Sequence, residues 1–551
     1  MTPKPPSRIL FAMAPKDDTA SRHARWLMIV IVAAAGLIFA PNLADSFVSD
    51  DFVKMHTLGN DTLGHILNGD NLGGTADYRP LTLAMIWLEL HAFGAHPMAF
   101  HAVHLILGML AAVLLFLLVE ACFDRRVALL AALAFAVAPA HVENVVWISG
   151  VGQVPATALL LGGLWIHVWA RRTERDVVAP LGALAFFAAL FAHEVVCLAP
   201  LILLLIDRHL TPRPTWRASL SAAGIWLAAL AIWALIRAVV VGFALPSHYG
   251  LFVLRDVARY LQLYFLPLGL DDAIPWVMTH PWAVLGPAVV VLGAIVFFAA
   301  RLWRIPAFRC GAIAGLLALA PVAHLYPRRL HIFAASAWWA VAVGGLVAAG
   351  LNDRRPLLRK VAYLGFGAWL ALCLGVAAGQ SMLWREAADL AATVVDDLDK
   401  AADPPTTDII VLTVPDTLRG AFVMRNGLHQ ALRLRRPNTA VVVHHVLLAG
   451  LAASDAPGPV CRRTGQAGFE VRQPPGSVHN YLLPPDANRD LQPGMDRRLG
   501  PFYYQAVAAS RPFGLTAVAV GVDPQLLDKP GAKIMVFDHG RLAPFDGGNS
   551  P

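Results

Sequence analysis

The sequence predicts a mainly α fold: a polytopic bundle of about eleven transmembrane helices with interfacial helices beside them, followed by an extracytoplasmic α/β domain. Three observations predict it. Of 551 residues, 57% are hydrophobic and only 15% charged, which excludes an ordinary soluble protein of this length. Apolar segments close to the ~20 residues that a helix needs to cross a bilayer recur up to residue 380. Past Trp384 the pattern changes to "WREAADLAATVVDDLDKAAD", a helix leaving the membrane. Short apolar runs then follow, "DIIVLTV", "TAVVVHHVLL", "TAVAVGV" and "KIMVF", separated by Gly and Pro.

In chain order, residues 1–25 read as a disordered cytoplasmic leader. Spans are expected near 26–43, 100–122, 127–142, 151–170, 178–193, 194–209, 216–243, 281–301, 311–326, 330–350 and 361–380. The first run lacks a clear small-residue cleavage site and is taken as a retained anchor. Two further apolar stretches, 80–95 and 255–271, are shorter or interrupted. If both lie in the interface, every basic loop falls on one side, from Lys4 and Arg8 through Arg125-Arg126, Arg171-Arg172 and Arg301 to Arg359-Lys360. That side is the cytoplasm. The formal charge of +7 is therefore read as topology, with no nucleic-acid partner expected. Four of the five cysteines lie in apolar segments, so no disulfide framework is expected. Only seven of the 44 basic residues are lysine, which with the wealth of Ala and Pro suggests a GC-rich bacterial genome, and the expected location is then the bacterial inner membrane. The domains are then a leader, 1–25, a transmembrane domain, 26–380, with an external loop at 44–99 and an interfacial helix at 80–95, and an external domain, 381–551.

Polar chemistry gathers on the external side. Asp50 and Asp51 follow the first span, where a carboxylate meets water without full burial in hydrocarbon; a solvated loop start is the plain alternative. "YRPLT" sets Tyr78 and Arg79 before a Pro that opens the interfacial helix; there a guanidinium suits a phosphate, although a snorkelling anchor explains a lone Arg as well. "FHAVHLILG" places His101 and His104 one turn apart, the spacing of a metal pair, but with no third ligand in view they read as interfacial histidines. "PAHVENVVWISGVGQ" carries His141, Glu143 and Asn144 in one turn beside Trp147. "LFAHEVVCLAP" interrupts an apolar run with His193-Glu194, either a hairpin tip or a buried functional pair. "PRRLHIFAAS" puts Arg328 and Arg329, with His331 after them, on the side that basic residues avoid, which invites a lipid phosphate.

The order of "SDDF", "YRPLT", "FHAVHLILG", "PAHVENVVWISGVGQ", "FAHEVVCLAP", "YFLPLGL" and "PRRLHIFAAS" resembles the GT-C membrane glycosyltransferases over residues 26–380. The branch that looks nearest contains the transmembrane and tetratricopeptide-repeat O-mannosyltransferases, with kinship to protein O-mannosyltransferases and the lipid A aminoarabinose transferase. The resemblance implies a GT-C bundle, a polyprenyl-phosphate-linked sugar as donor, a glycan, lipid or protein hydroxyl as acceptor, and inverting transfer on the external face. It maps the general base to Asp50, with Asp51 beside it, and donor-phosphate contacts to Arg79, His193, Arg328 and Arg329. Tyr78, His101, His141, Glu143, Glu194 and His331 support them. The chain departs from relatives where His193-Glu194 replaces Lys-Glu and where Arg328-Arg329-Leu330 replaces Glu-Arg-Tyr; no tetratricopeptide repeat occurs in 381–551.

The chemistry is coherent with these residues: a carboxylate removes the acceptor proton while cations stabilise the departing phosphate. Asp51 would raise the pKa of Asp50 by repulsion or orient the acceptor. Two adjacent acids admit a divalent cation, though nothing else in the sequence demands one. Two other classes stand beside this reading: a transporter or lipid flippase, which calls for paired charges within spans and broken helices in related halves, and a non-catalytic envelope assembly partner on the same fold.

Overall fold

A computed structural model describes residues 26, 29–33, 36–69, 78–242, 252–267, 301–325, 327–473, 481–484, 493–510 and 514–545. The expected leader, nearly all of the span expected at 281–301, and much of the external stretch 244–280 lie outside these residues.

After a first apolar helical stretch, Ile29–Ala44, the described helices are α1 (Asp50–Gly59), α2 (Leu63–Asn68), α3 (Pro80–Phe93), α4 (Pro97–Cys122), α5 (Arg125–Ala136) and α6 (His141–Val146). They continue as α7 (Gln153–Thr173), α8 (Ala179–Ala192), α9 (Ala199–Asp207), α10 (Trp216–Val241), α11 (Phe252–Phe265), α12 (Pro306–Leu319), α13 (Phe333–Leu351) and α14 (Pro356–Ala401). Among them, α4, α10, α14, and α7 and α13 each with the turn before it are five helices long and apolar enough to cross a membrane. Of the other expected spans, 281–301 lies almost wholly outside the described residues, and several more fold as shorter helices. Helices α5, α8, α9 and α12 hold 12, 14, 9 and 14 residues. Pro139 follows α5, His193-Glu194 separates α8 from α9, and Pro321 follows α12. A proline lacks the amide hydrogen that would extend the helix ladder.

Local signals explain where helices start and stop. Pro80 opens α3 at a position whose N–H would be unpaired anyway, and Gly94, at φ 65°, ends it by returning its N–H to Leu90 O. Asp124 caps α5, its carboxylate accepting from Val127 N at 2.9 Å, and Thr215 caps α10 through Ala218 N at 3.3 Å; such caps contribute about 1 kcal/mol each.

Between apolar helices in a membrane, close packing of small residues is the main adhesive. Helices α7 and α8 meet this way: a Cβ on Gly182 would lie 2.6 Å from the Gly163 carbonyl oxygen, and one on Gly163 2.7 Å from the Gly182 oxygen. Neither backbone can retreat without parting the helices. Gly182→Ala is therefore expected to destabilise the bundle by about 1–3 kcal/mol, read as a lower thermal unfolding midpoint in detergent; an unchanged midpoint would show that the two helices yield freely.

The sheet domain follows α14. Its strands are β1 (Asp408–Leu418), β2 (Ala421–Phe422), β3 (Val442–Leu451), β4 (Val460–Arg463), β5 (Gly468–Arg472), β6 (Leu482–Leu483), β7 (Asp496–Leu499), β8 (Phe502–Ser510), β9 (Gly514–Val522), β10 (Ala532–Asp538) and β11 (Arg541–Pro544), with helices α15 (Leu428–Arg435) and α16 (Pro524–Leu527) between them. The apolar runs singled out in the sequence fall in β1, β3, β9 and β10. The strand order is β11-β10-β1-β3-β6-β9-β5-β4, with β2 on β1 and β7-β8 attached to β9. Strand β1 runs parallel to both β3 and β10, and all of its residues are buried, as expected of a strand covered on both faces.

Helix α14 is continuous over 46 residues, so residue 380 falls inside it. Its second half turns Trp384, Ala387, Ala388, Ala391, Val394, Val395 and Leu398 inward at helical spacing. Asp397 on the same helix accepts from Arg541 Nε at 3.2 Å and Nη2 at 2.6 Å, which ties α14 to β11.

Candidate active site

The acidic pair opens α1. Ser49, immediately before it, is a buried non-glycine residue at φ 47°, a region that L residues adopt only when their surroundings hold them there. The surroundings come from the sheet domain: Ser49 N donates to Val423 O at 2.9 Å. In the first helical turn a carboxylate also meets the favourable end of the helix dipole.

The two acids then part. Asp51 is 1% exposed and accepts from Val48 N at 3.2 Å and Ser149 N at 2.7 Å. Asp50 is half-buried and its Oδ1 accepts from Asn426 Nδ2 at 2.6 Å. One carboxylate is thus built into the fold and the other faces outward. Lys54, one turn along α1, donates to Ser149 O at 3.0 Å and pins the helix to the turn at 147–150.

Burial pushes the Asp51 carboxyl up to about 7, against the lowering effect of its hydrogen bonds to Ser149 and Val48. For Asp51 the main cause is desolvation. A carboxyl whose pKa is higher in the folded state holds its proton there while the unfolded chain releases it. Its contribution to stability is present at low pH and lost as pH rises from about 4 through about 7, on the order of 4 kcal/mol in all. Asp45, also buried, is raised to about 6 and adds to the same trend. Asp51→Asn is expected to flatten part of the fall in melting temperature between pH 5 and 8; a slope equal to that of the parent protein would remove Asp51 as a source.

The predicted phosphate-binding cations lie on the surrounding turns, and two of them meet carboxylates. Arg79, just before α3, forms a two-pronged pair with Glu194, Nε to Oε2 at 3.0 Å and Nη2 to Oε1 at 2.7 Å. Arg328 pairs with Glu143, whose other oxygen accepts from Leu330 N at 3.2 Å. His193 Nδ1 accepts from Val195 N at 3.2 Å, so that nitrogen carries no proton and the ring is neutral. In place of a titrating cation, His193 presents an uncharged ring. Arg329 donates to Pro267 O at 3.2 Å. His331 stacks on Tyr260 and lies within electrostatic reach of His193, Arg328 and Arg79.

The remaining predicted residues are structural neighbours. Tyr78 donates to Leu67 O at 2.9 Å. His141 bonds Ser336 Oγ at 2.9 Å between the rings of Phe135 and Phe333. His101 and His104 are buried in α4, and His104 Nε2 is 3.4 Å from Glu89 Oε2. The bundle covers them because α3 and the turn at 141–147 pack over that end of α4. Among the described residues no group of three His, Cys, Asp or Glu is arranged to hold a metal ion, and Asp50 and Asp51 address different partners instead of a common point.

The turn at 147–152 joins these parts. Ser149 holds Asp51. A Cβ on Gly152 would lie 3.2 Å from His193 Cδ2 and 3.6 Å from Thr82 Oγ1, so this turn touches both the His193-Glu194 tip and the start of α3. Trp147 packs on Phe422 of the sheet domain at 4.7 Å between centroids. Phe422 also carries two guanidinium groups, Arg328 at 4.2 Å and Arg425 at 4.7 Å from its centroid. Sequence reasoning missed Phe422, Arg425 and Asn426. The signal was there in "FVMRNG", a basic turn ending in Asn-Gly within an otherwise apolar stretch.

No protein-family model matches the chain. It is similar to a protein O-mannosyl-transferase of Caenorhabditis elegans, 28% identical over 173 residues, covering 28% of this chain and 24% of the relative. The chain thus matches about a quarter of the length of that curated relative. Among solved structures, it is similar to the oligosaccharyltransferase of Archaeoglobus fulgidus in its apo form, at 12% identity and a TM-score of 0.42 over 76% of this chain and 64% of that one. It is also similar to ArnT of Cupriavidus metallidurans in the apo state, at 15% identity and a TM-score of 0.41 over 78% and 87%. The resemblance to GT-C glycosyltransferases drawn from the motifs is met by the name of the curated relative.

Proposed function

We propose that this chain is a membrane glycosyltransferase of the GT-C type. In this reading it moves a sugar from a polyprenyl-phosphate donor to a hydroxyl acceptor on the extracytoplasmic face, with inversion and with Asp50 as general base. The observation that carries the reading is the division of labour in the acidic pair: Asp51 is buried on backbone amides, while Asp50 stands outward with one oxygen held by Asn426. A carboxylate so placed has an oxygen for an acceptor hydroxyl.

In the reaction the acceptor oxygen attacks the anomeric carbon as its proton passes to Asp50. The bond from that carbon to the phosphate oxygen breaks, and its electron pair leaves with the lipid phosphate. Negative charge grows on the phosphate, where guanidinium groups stabilise it most effectively in a site of low dielectric. Arg79 and Arg328 rest on Glu194 and Glu143, and each would turn one or more of its donors toward the phosphate while its carboxylate keeps it in place. The apolar flank of the bundle would take the isoprenoid chain. Similarity to a protein O-mannosyl-transferase supports a transferase, and a hexose is the first donor to try.

The test is transfer by the purified protein in detergent, with a panel of polyprenyl-phosphate sugars and acceptor mass measured before and after. The expected result is a gain of one sugar mass with one donor class and none with a nucleotide sugar. Movement of labelled lipid across vesicles without any transfer would favour the flippase reading.

A further inference from the structure

We propose that Asn426, in the sheet domain, is a positioning residue for Asp50; this rests on the reading of Asp50 as the base. The two residues are 376 positions apart, and Asn426 Nδ2 donates to Asp50 Oδ1 at 2.6 Å. An asparagine before a glycine commonly bonds its own turn, but this side chain reaches across to another domain. Asp50 Oδ2 accepts no hydrogen bond from the described residues. One oxygen is thus anchored and the other left for the acceptor proton.

Docking of the domain does not depend on this side chain. The backbone bond from Ser49 to Val423 joins the two parts, and Gly427, at φ 89°, sits so close that a Cβ there would lie 2.8 Å from Ser49 O and 2.9 Å from Phe52 Cβ. Asn426 itself is exposed. Its amide therefore adds orientation to an interface that backbone and packing already close. In this reading the sheet domain takes part in the catalytic geometry by holding one oxygen of the base.

A carboxylate released from its anchor spreads over rotamers, and small displacements of a reacting group are costly in rate. Asn426→Ala is expected to lower kcat roughly tenfold, with KM for the donor within about twofold and the melting temperature unchanged. Asn426→Gln, which keeps an amide donor on a longer arm, is expected to recover part of the loss. Asn426→Asp, which removes the donor and sets a carboxylate against Asp50, is expected to fall below Asn426→Ala. A purely structural role would instead move all three variants with the melting temperature. All are measured beside Asp50→Asn in the same transfer assay. Wild-type kcat in Asn426→Ala and Asn426→Asp, with Asp50→Asn inactive, would overturn the positioning role and leave the base standing. Wild-type turnover in Asp50→Asn would overturn both.

Discussion

Asp50→Asn is expected to lower sugar transfer by about 10²- to 10⁴-fold, the range for loss of a general base, while the protein inserts and folds normally. The substitution is nearly isosteric and the amide oxygen can still accept from Asn426 Nδ2, so the contact at 2.6 Å persists. Asp51 keeps its two backbone partners, Val48 N and Ser149 N, and continues to hold the start of α1. What disappears is the basicity of the outward oxygen. An asparagine amide cannot take a proton at neutral pH, so the acceptor hydroxyl would have to attack without assistance. Turnover should collapse with little change in KM for the donor, because the lipid phosphate is held elsewhere. Turnover within about threefold of the parent protein would sink Asp50 as the base. The companion substitution at Asp51 has the opposite signature, a change in the pH dependence of stability.

The second large effect belongs to the sheet domain. Asp416, at the end of β1, is fully buried and receives Arg425 Nε and Nη2, both at 2.7 Å, together with the Tyr481 hydroxyl. Tyr481 also bonds Thr417 Oγ1 at 2.9 Å. Burial and the neighbouring carboxylate hold the Tyr481 hydroxyl well above its usual range, so it stays a donor. Asp416→Ala leaves Arg425 partly buried without its carboxylate and the hydroxyl without its acceptor. The expected loss is about 3–5 kcal/mol, read as a lower unfolding temperature of the sheet domain or as faster proteolysis there. Asp416→Asn, which keeps one acceptor oxygen, should lose less. Since Arg425 is next to Asn426 and packs on Phe422, the Ala variant should also lose transfer activity. Stability equal to that of the parent would mean that the network contributes nothing net.

Much of the bundle was legible because a helix in hydrocarbon announces itself by length and hydropathy: α4, α10 and α13 follow runs that the sequence marks plainly. Helix lengths were less legible: "LFAHEVVCLAPLILLLID" reads as two spans, and it folds as the 14-residue α8, a turn and the 9-residue α9. Strands β1 and β10 stand out as β-branched runs, whereas β4, "VCRR", and β7, "DRRL", are short and polar and give no such signal. At the candidate site, Asp50 stood out in the sequence only as one of two adjacent acids directly after an apolar run. The pairing of Arg79 with Glu194 and of Arg328 with Glu143 could not be read there, since charge partners 115 and 185 residues apart leave no local trace. Asn426 was hidden for the same reason.

Helix α14 has one more implication. At 46 residues it is a single rod about 69 Å long, its first half apolar and mostly exposed and its second half packed inward beside the sheet. A domain hung on a flexible linker meets its partner at an effective concentration set by the linker, with an entropic penalty for each encounter. A rod that is continuous with the last membrane helix removes that search. Asn426 then faces Asp50 as a fixed neighbour, because the sheet domain is carried on the same helix that forms the apolar segment before it.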